Sequence, residues 1–190
     1  MGIDHIDDGA LGRQIAERLK SLRSARGWSL DELAAQSGVS RATLSRLENA
    51  EVSPTAQVLG RLCAAYGLTM TRLMGMVEDD FSPLIRTRSQ PAWEDRSVGF
   101  VRRSLSPPSS ALAGEVLECE LRPNACIDYS QPPRPGLEHH LLMLEGELVL
   151  TIEGKRHDLV SGDCLRYRLY GASRFETPPG AGARYLLFIV

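Results

Sequence analysis

The sequence predicts two domains of different class: an all-α unit of five short helices over residues 11–76, then an all-β barrel over residues 83–190. Three observations predict it. Up to residue 76, apolar residues recur three and four apart, the spacing of helices with one buried face. From residue 83 onward, ten of the 11 prolines cut the chain into short runs of alternating apolar and polar residues, the pattern of half-buried strands. Charge divides along the same line. Residues 11–76 carry nine Arg/Lys against five Asp/Glu and residues 111–190 eight against eleven, although the whole chain is only −2. A basic unit beside an acidic one suits contact with a polyanion at one end only.

Taken in order, residues 1–10 carry three aspartates and no helical pattern, and a disordered tail is expected there. Leu11, Ile15, Leu19 and Leu22 form one face of a first helix, which Gly27 ends. Ser29 and Glu32 stand three apart as a capping box for a second helix, with Trp28 and Leu33 at hydrophobic-staple spacing. Ala34 is small where helices cross, and Gly38 suits a turn with positive φ. Ser40 caps a third helix, locked onto the second by Leu33, Val39, Leu44 and Leu47. Ser53-Pro54 opens a fourth helix, with Val58, Leu59, Leu62, Cys63 and Tyr66 as its buried stripe and Gly67 as its stop. Thr69 caps a fifth, through Leu73 and Met74.

The third helix turns Arg41, Ala42, Thr43, Ser45 and Arg46 outward. An ordinary helical hairpin needs no such combination of tight turn, cap and outward hydrogen-bonding chemistry. A helix-turn-helix that lays its second helix in a DNA groove needs all three. Residues 11–75 resemble the lambda-repressor-like, xenobiotic-response-element family of DNA-binding domains, most specifically in the run GVSRATLSRLENAEVSPT. Two departures stand out. Leu30 sits where many members have a DNA-contacting Gln, and Ala50 replaces the usual Gly, so that Asn49 or Ala50 must take the helix-ending conformation. The resemblance implies a sequence-specific regulator working as a homodimer on two DNA half-sites about one helical turn apart. Ser40, Thr43 and Asn49 are then expected on phosphates, Arg41 and Arg46 on base edges, and Ala42 against a thymine methyl, with Ser45 on the same face.

Residues 77–82, with the acidic run Glu78-Asp79-Asp80, read as a linker. Strands are expected at 84–88, 99–104, 114–121, 139–144, 147–153, 156–159, 164–168, 173–177 and 185–190. Glu153-Gly154 is a hairpin signal, and many short strands at close spacing mean a sandwich or barrel. The Leu-Glu-Gly-Glu-Leu corner at 144–148 and the Ser-Gly-Asp turn at 161–163 resemble the two motif regions of the cupin family, a jelly-roll barrel, over about residues 83–190. Helix-turn-helix followed by cupin is the layout of cupin-bearing transcriptional regulators.

Cupin enzymes usually hold a metal with three His and one carboxylate. Here the His-x-His pair would fall among Gln131, Pro132, Pro133, Arg134 and Pro135, His139 holds the carboxylate's place, and Ser173 replaces the last His. No metal and no other cofactor is therefore expected, and no catalytic residue. Small barrels also enclose ligand cavities. Candidate effector-binding residues are His139, Leu141 and Met143 on one strand, with Tyr167, Arg168, Ser173 and Phe175 on others. Arg134, Arg166, Arg168 and Arg174 would suit a carboxylate or phosphate if any points inward.

The expected function is a DNA-binding transcriptional regulator whose barrel dimerises and binds a small effector. The rivals are a metal-dependent cupin enzyme with a DNA-binding appendage, and a regulator whose barrel only dimerises. Neither a secretory signal nor a membrane-spanning segment is expected. Cys63, Cys119, Cys126 and Cys164 are scattered without CxxC spacing and read as reduced thiols of a cytoplasmic protein.

Overall fold

A computed structural model describes residues 8–74, 81–109 and 111–190. Five helices come first: α1 (Asp8–Ala25), α2 (Leu30–Ser37), α3 (Arg41–Glu48), α4 (Ala56–Tyr66) and α5 (Met70–Leu73). Nine strands follow: β1 (Ala92–Asp95), β2 (Phe100–Ser106), β3 (Glu115–Leu121), β4 (Cys126–Tyr129), β5 (Leu137–Ile152), β6 (Lys155–Val160), β7 (Cys164–Leu169), β8 (Ser173–Glu176) and β9 (Ala183–Ile189).

Helix boundaries follow local capping chemistry. Ser29 accepts from the Glu32 amide while Glu32 accepts from the Ser29 amide, closing the capping box. Gly38 ends α2 at φ 66°, and Ala50, at φ 57°, takes the left-handed position after α3. Three expectations need correction. Thr55, not Ser53, caps α4, its hydroxyl accepting from the Val58 amide. Thr69 stands at the start of α5 without a side-chain capping bond. The first helix begins at Asp8, inside the stretch expected as a tail; the rest of that stretch lies outside the described residues, as do 77–80 of the expected linker.

The strands form one antiparallel system in the order β1-β2-β3-β9-β5-β8-β4, with β6 and β7 also paired to β5. β5 is the spine. Its first half pairs with β7 and β9, its second half with β6 and β8. Gly146 makes this continuity possible: at φ 81° it bends the strand between the two sheets, where any Cβ would collide with the Gly182 carbonyl oxygen. The sequence pattern predicts two strands here, 139–144 and 147–153, and the structure joins them through this glycine. Residues 84–88 form no strand; a 3-10 turn occupies Thr87–Ser89 and Leu84 is exposed. The edge strands β1 and β4, four residues each, are additions to the strands that the sequence pattern predicts.

Side chains alternate in and out of the barrel with period two. Leu137, His139, Leu141 and Met143 of β5 share the inward face of one sheet with Leu117 and Cys119 of β3 and Tyr185 and Leu187 of β9. The helical domain packs around Leu33, Leu44, Leu59 and Leu62, and its buried residues join those of the barrel in one continuous cluster.

The two domains touch directly. The Ala56 amide, first in α4, donates to Asp95 Oδ2 at the end of β1, 2.7 Å away. Arg102 Nη2 of β2 donates to the Thr71 hydroxyl of α5 at 3.3 Å. Gly60 of α4 lies against the Tyr129 ring of β4, so close that an added Cβ would sit 2.8 Å from Cε1. No described helix is long and apolar enough to cross a membrane.

Candidate DNA-reading face and barrel cavity

The third helix is anchored on one side and free on the other. Leu44 and Leu47 are buried, while Arg41, Ala42, Arg46 and Asn49 are exposed and Thr43 and Ser45 are half-buried. Ser40 Oγ accepts from the Thr43 amide and lies 2.8 Å from the Thr43 hydroxyl, which fixes the N-terminal turn. Arg41 and Arg46 are held only by long surface pairs, to Asp31 at 3.3 Å and to Glu51 at 3.8 Å. Such pairs are worth about 0–1 kcal/mol and break readily. Asn49 Nδ2 donates to Glu51 Oε1 at 3.4 Å. Leu30 is half-buried against the core.

The second site is a cavity of about 80 Å³ in the barrel mouth. It has room for several waters or a small organic molecule. Gly60, Cys63, Thr69 and Met70 of the helical domain form one wall; strands form the rest. Of the residues expected there, His139, Ser173 and Phe175 line it. Leu141 and Met143 point inward but are packed into the core, away from the opening. Tyr167 stands behind His139, its hydroxyl 3.0 Å from Nδ1. Arg168 is a correction. It lies on the outer face of β7, 3.5 Å from Glu138, because the alternation that turns Tyr167 inward turns Arg168 out. Arg134, Arg166 and Arg174 are exposed as well.

The arginine that does face the cavity is Arg102, which sequence reasoning passed over. It is 9% exposed and its Nε is buried without a partner. The available signal was its phase: Phe100, Arg102 and Ser104 share the inward face of β2. His139 is 7% exposed, and its Nε2 is likewise buried without a partner. Burial, helped by the nearby Arg102 charge and by His140, pushes the imidazole down to about 4, so it is neutral at pH 7. Burial also pushes the Cys63 thiol up to about 12 and Cys119 up to about 11, which leaves both as unreactive thiols. Tyr129 and Tyr185 are raised by burial too and stay as phenols.

These side chains do not suit a cupin metal. His139 is the only imidazole among the described cavity residues, no carboxylate lines the cavity, and the described residues contain no group of three or more His, Cys, Asp or Glu placed to hold an ion. A catalytic site of that kind needs three protein ligands.

Comparison with known proteins agrees with this geometry. Residues 14–73 match the family model of a helix-turn-helix domain. The chain is 29% identical to the HTH-type transcriptional regulator SutR of Escherichia coli (strain K12) over 157 residues, 83% of each chain. It is 28% identical to the HTH-type transcriptional regulator PuuR of the same strain over 148 residues, 77% of this chain and 78% of that one. Among solved structures, an HTH_3 family transcriptional regulator from Vibrio cholerae superposes with a TM-score of 0.76 at 22% identity, covering 96% of this chain and 98% of that one. At that identity the likeness is one of fold, and it extends through both domains.

Proposed function

We propose that this chain, a transcriptional regulator built from a helix-turn-helix domain and a cupin-like domain, reads a specific DNA sequence as a cytoplasmic homodimer and adjusts that binding to a small effector held in the barrel. The observation that carries the reading is the outer face of α3, where Arg41, Ala42 and Arg46 stand exposed over a buried Leu44–Leu47 anchor. In this reading Ser40, Thr43 and Asn49 contact phosphates and fix register, with Ser45 on the same face. Arg41 and Arg46 pair with guanine edges, and Ala42 meets a thymine methyl.

The cavity supports the sensing half. A ligand there touches both domains at once, so it can favour one placement of the helical domain over another, which is what a population shift requires. Support for the dimer comes from an apolar strip on the outer sheet face, where Phe188 neighbours Val116 and Leu186 neighbours Leu142. Two copies related by a two-fold axis would cover it. The cavity's donor chemistry favours binding over metal-dependent catalysis, and the chain is read as a regulator and not an enzyme.

Selection of bound sequences from random duplex DNA by the full-length protein tests this reading. The expected product is a two-fold symmetric motif with half-sites about 10 base pairs apart. Recovery of unselected sequence, or of a motif unchanged when α3 is altered, would overturn it.

A further inference from the structure

The cavity wall contains a charge that no described carboxylate pairs with directly. Arg102 extends inward from the middle of β2 and makes one hydrogen bond, from Nη2 to the Thr71 hydroxyl at 3.3 Å. No carboxylate among the described residues lies within ion-pair distance of it. Its neighbour across the ladder is Cys119, and its Nε has no partner. A guanidinium this deeply buried is costly to retain without an anion, and substituting it with a packed apolar side chain of similar volume is often neutral or stabilising. The bond to Thr71 uses Nη2 alone and leaves Nε without a partner. The same cavity holds two further unpaired polar atoms, Thr69 Oγ1 and His139 Nε2, the latter on a ring already oriented through Nδ1 by Tyr167. The remaining walls are mostly apolar or aromatic, including Phe100, Ile127 and Phe175, with Thr69, Gln131 and Ser173 among them.

We infer that the barrel mouth is a binding site for a small organic acid bearing a single negative charge, its carboxylate seated on Arg102, its body against the aromatic wall, and His139 Nε2 bonded to a polar group of the ligand. This rests on the effector-sensing reading above and narrows it to a chemical class. One guanidinium balances one negative charge. A neutral imidazole adds a hydrogen bond but no charge, so a phosphate dianion would bring an uncompensated charge into an apolar cavity. A planar carboxylate also matches the guanidinium fork, which can donate from Nε and Nη together. The free Nε is one of those donors. The cavity volume of about 80 Å³ limits the ligand to a small metabolite. Seating the carboxylate engages the same guanidinium that reaches Thr71, so the ligand acts on the contact between the barrel and α5.

The test uses the full-length chain and defined probes: butyrate, hexanoate and benzoate, against the matched amides, butylamine and inorganic phosphate. Calorimetric titration and thermal unfolding at pH 7 are the readouts. At least one carboxylate should bind and raise the melting temperature, while its amide, the amine and phosphate should not. Arg102→Met should fold, because it removes an unpaired buried charge, and should weaken that carboxylate about ten- to a hundredfold. Arg102→Lys should retain a reduced response, since the charge remains and the fork is lost. Binding by no carboxylate, equal binding of carboxylate and amide, or undiminished binding to Arg102→Met would each overturn the inference. Binding of the amine or an amide alone would overturn it and leave an effector-binding barrel standing. DNA selection is read separately, so loss of specific DNA binding with carboxylate binding intact would remove the regulatory reading and keep the site.

Discussion

Arg23 of α1 and Glu48 at the end of α3 form a two-pronged ion pair, Nε to Oε1 and Nη2 to Oε2, both at 2.7 Å. A third donor of the same guanidinium, Nη1, reaches the Trp28 carbonyl at 2.9 Å. The side chains are 17% and 6% exposed, so the pair is shielded from solvent and salt. It ties the C-terminal end of α3 to the first helix and so sets the angle at which α3 is presented. Removing one partner leaves the other charge buried. Glu48→Ala should destabilise the helical domain by about 3 kcal/mol, measured by urea unfolding; a loss below 1 kcal/mol would show that the pair does not anchor α3.

Arg41 and Arg46 should behave in the opposite way, contributing to recognition and not to stability. Both side chains are about 60% exposed and held by weak surface pairs. Each alanine substitution should leave the melting temperature nearly unchanged. Each should cost about 1–3 kcal/mol of specific DNA affinity and relax preference at one base position per half-site. Competition binding with single-base operator variants would reveal this, and unaltered selectivity in both variants would remove these arginines from the base-reading set.

His139 makes stability depend on acidity. Its folded-state value of about 4 lies below the ordinary 6.5, with burial as the main cause, Arg102 the second and His140 the third. The unfolded chain therefore binds more protons between those values, and stability rises with pH across that window. The contribution is full above pH 6.5 and is lost as pH falls toward 4, up to about 3 kcal/mol from this group. Unfolding measured from pH 7 to pH 4.5 should show the decline, and His139→Gln should flatten it. A slope unchanged by that substitution would assign the acid sensitivity elsewhere.

Gly60→Ala tests how the domains dock. On an isolated helix the change gains about 1 kcal/mol of propensity. Here the added Cβ meets the Tyr129 ring, so α4 must lift away from the barrel. Overpacking of this kind costs about 1–3 kcal/mol, and the variant should melt lower and expose the interdomain peptide bonds to protease sooner. A higher melting temperature would mean the two domains are not held together at this contact.

What was legible in the sequence followed the range of the forces involved. Capping is local, so Ser29, Glu32, Gly38 and Ser40 could be assigned from neighbours alone, and the outward face of α3 followed from Leu44 and Leu47. The start of α4 misled because Ser53 and Thr55 are both competent caps, and Asp95, 39 residues away, bonds the amide that follows Thr55. In the barrel, period-two alternation was visible within strands, but which phase faces inward is decided by pairing between distant strands. Residues 84–88 have strand-like composition and no partner to pair with. The need for an inward arginine could be stated from chemistry, while its identity as Arg102 could not, since four other arginines had equal claim before the register of β2 on β3 was known.

The bond from Asp95 to the Ala56 amide also bears on whether the helical domain is a self-sufficient module. Its longest barrel-facing helix begins with an amide satisfied by a carboxylate from the other domain, and the surface of α4 that carries Gly60 and Cys63 is covered only when the barrel is present. Cutting the chain between the domains would therefore leave a helical fragment with a frayed fourth helix and a newly bared thiol. Grafting this domain onto a foreign dimerisation partner would carry the same defect, unless the new partner supplied both an acid at that helix start and a flat aromatic surface against Gly60. The helical domain and the barrel are not interchangeable parts; they share a boundary that each needs in order to be complete.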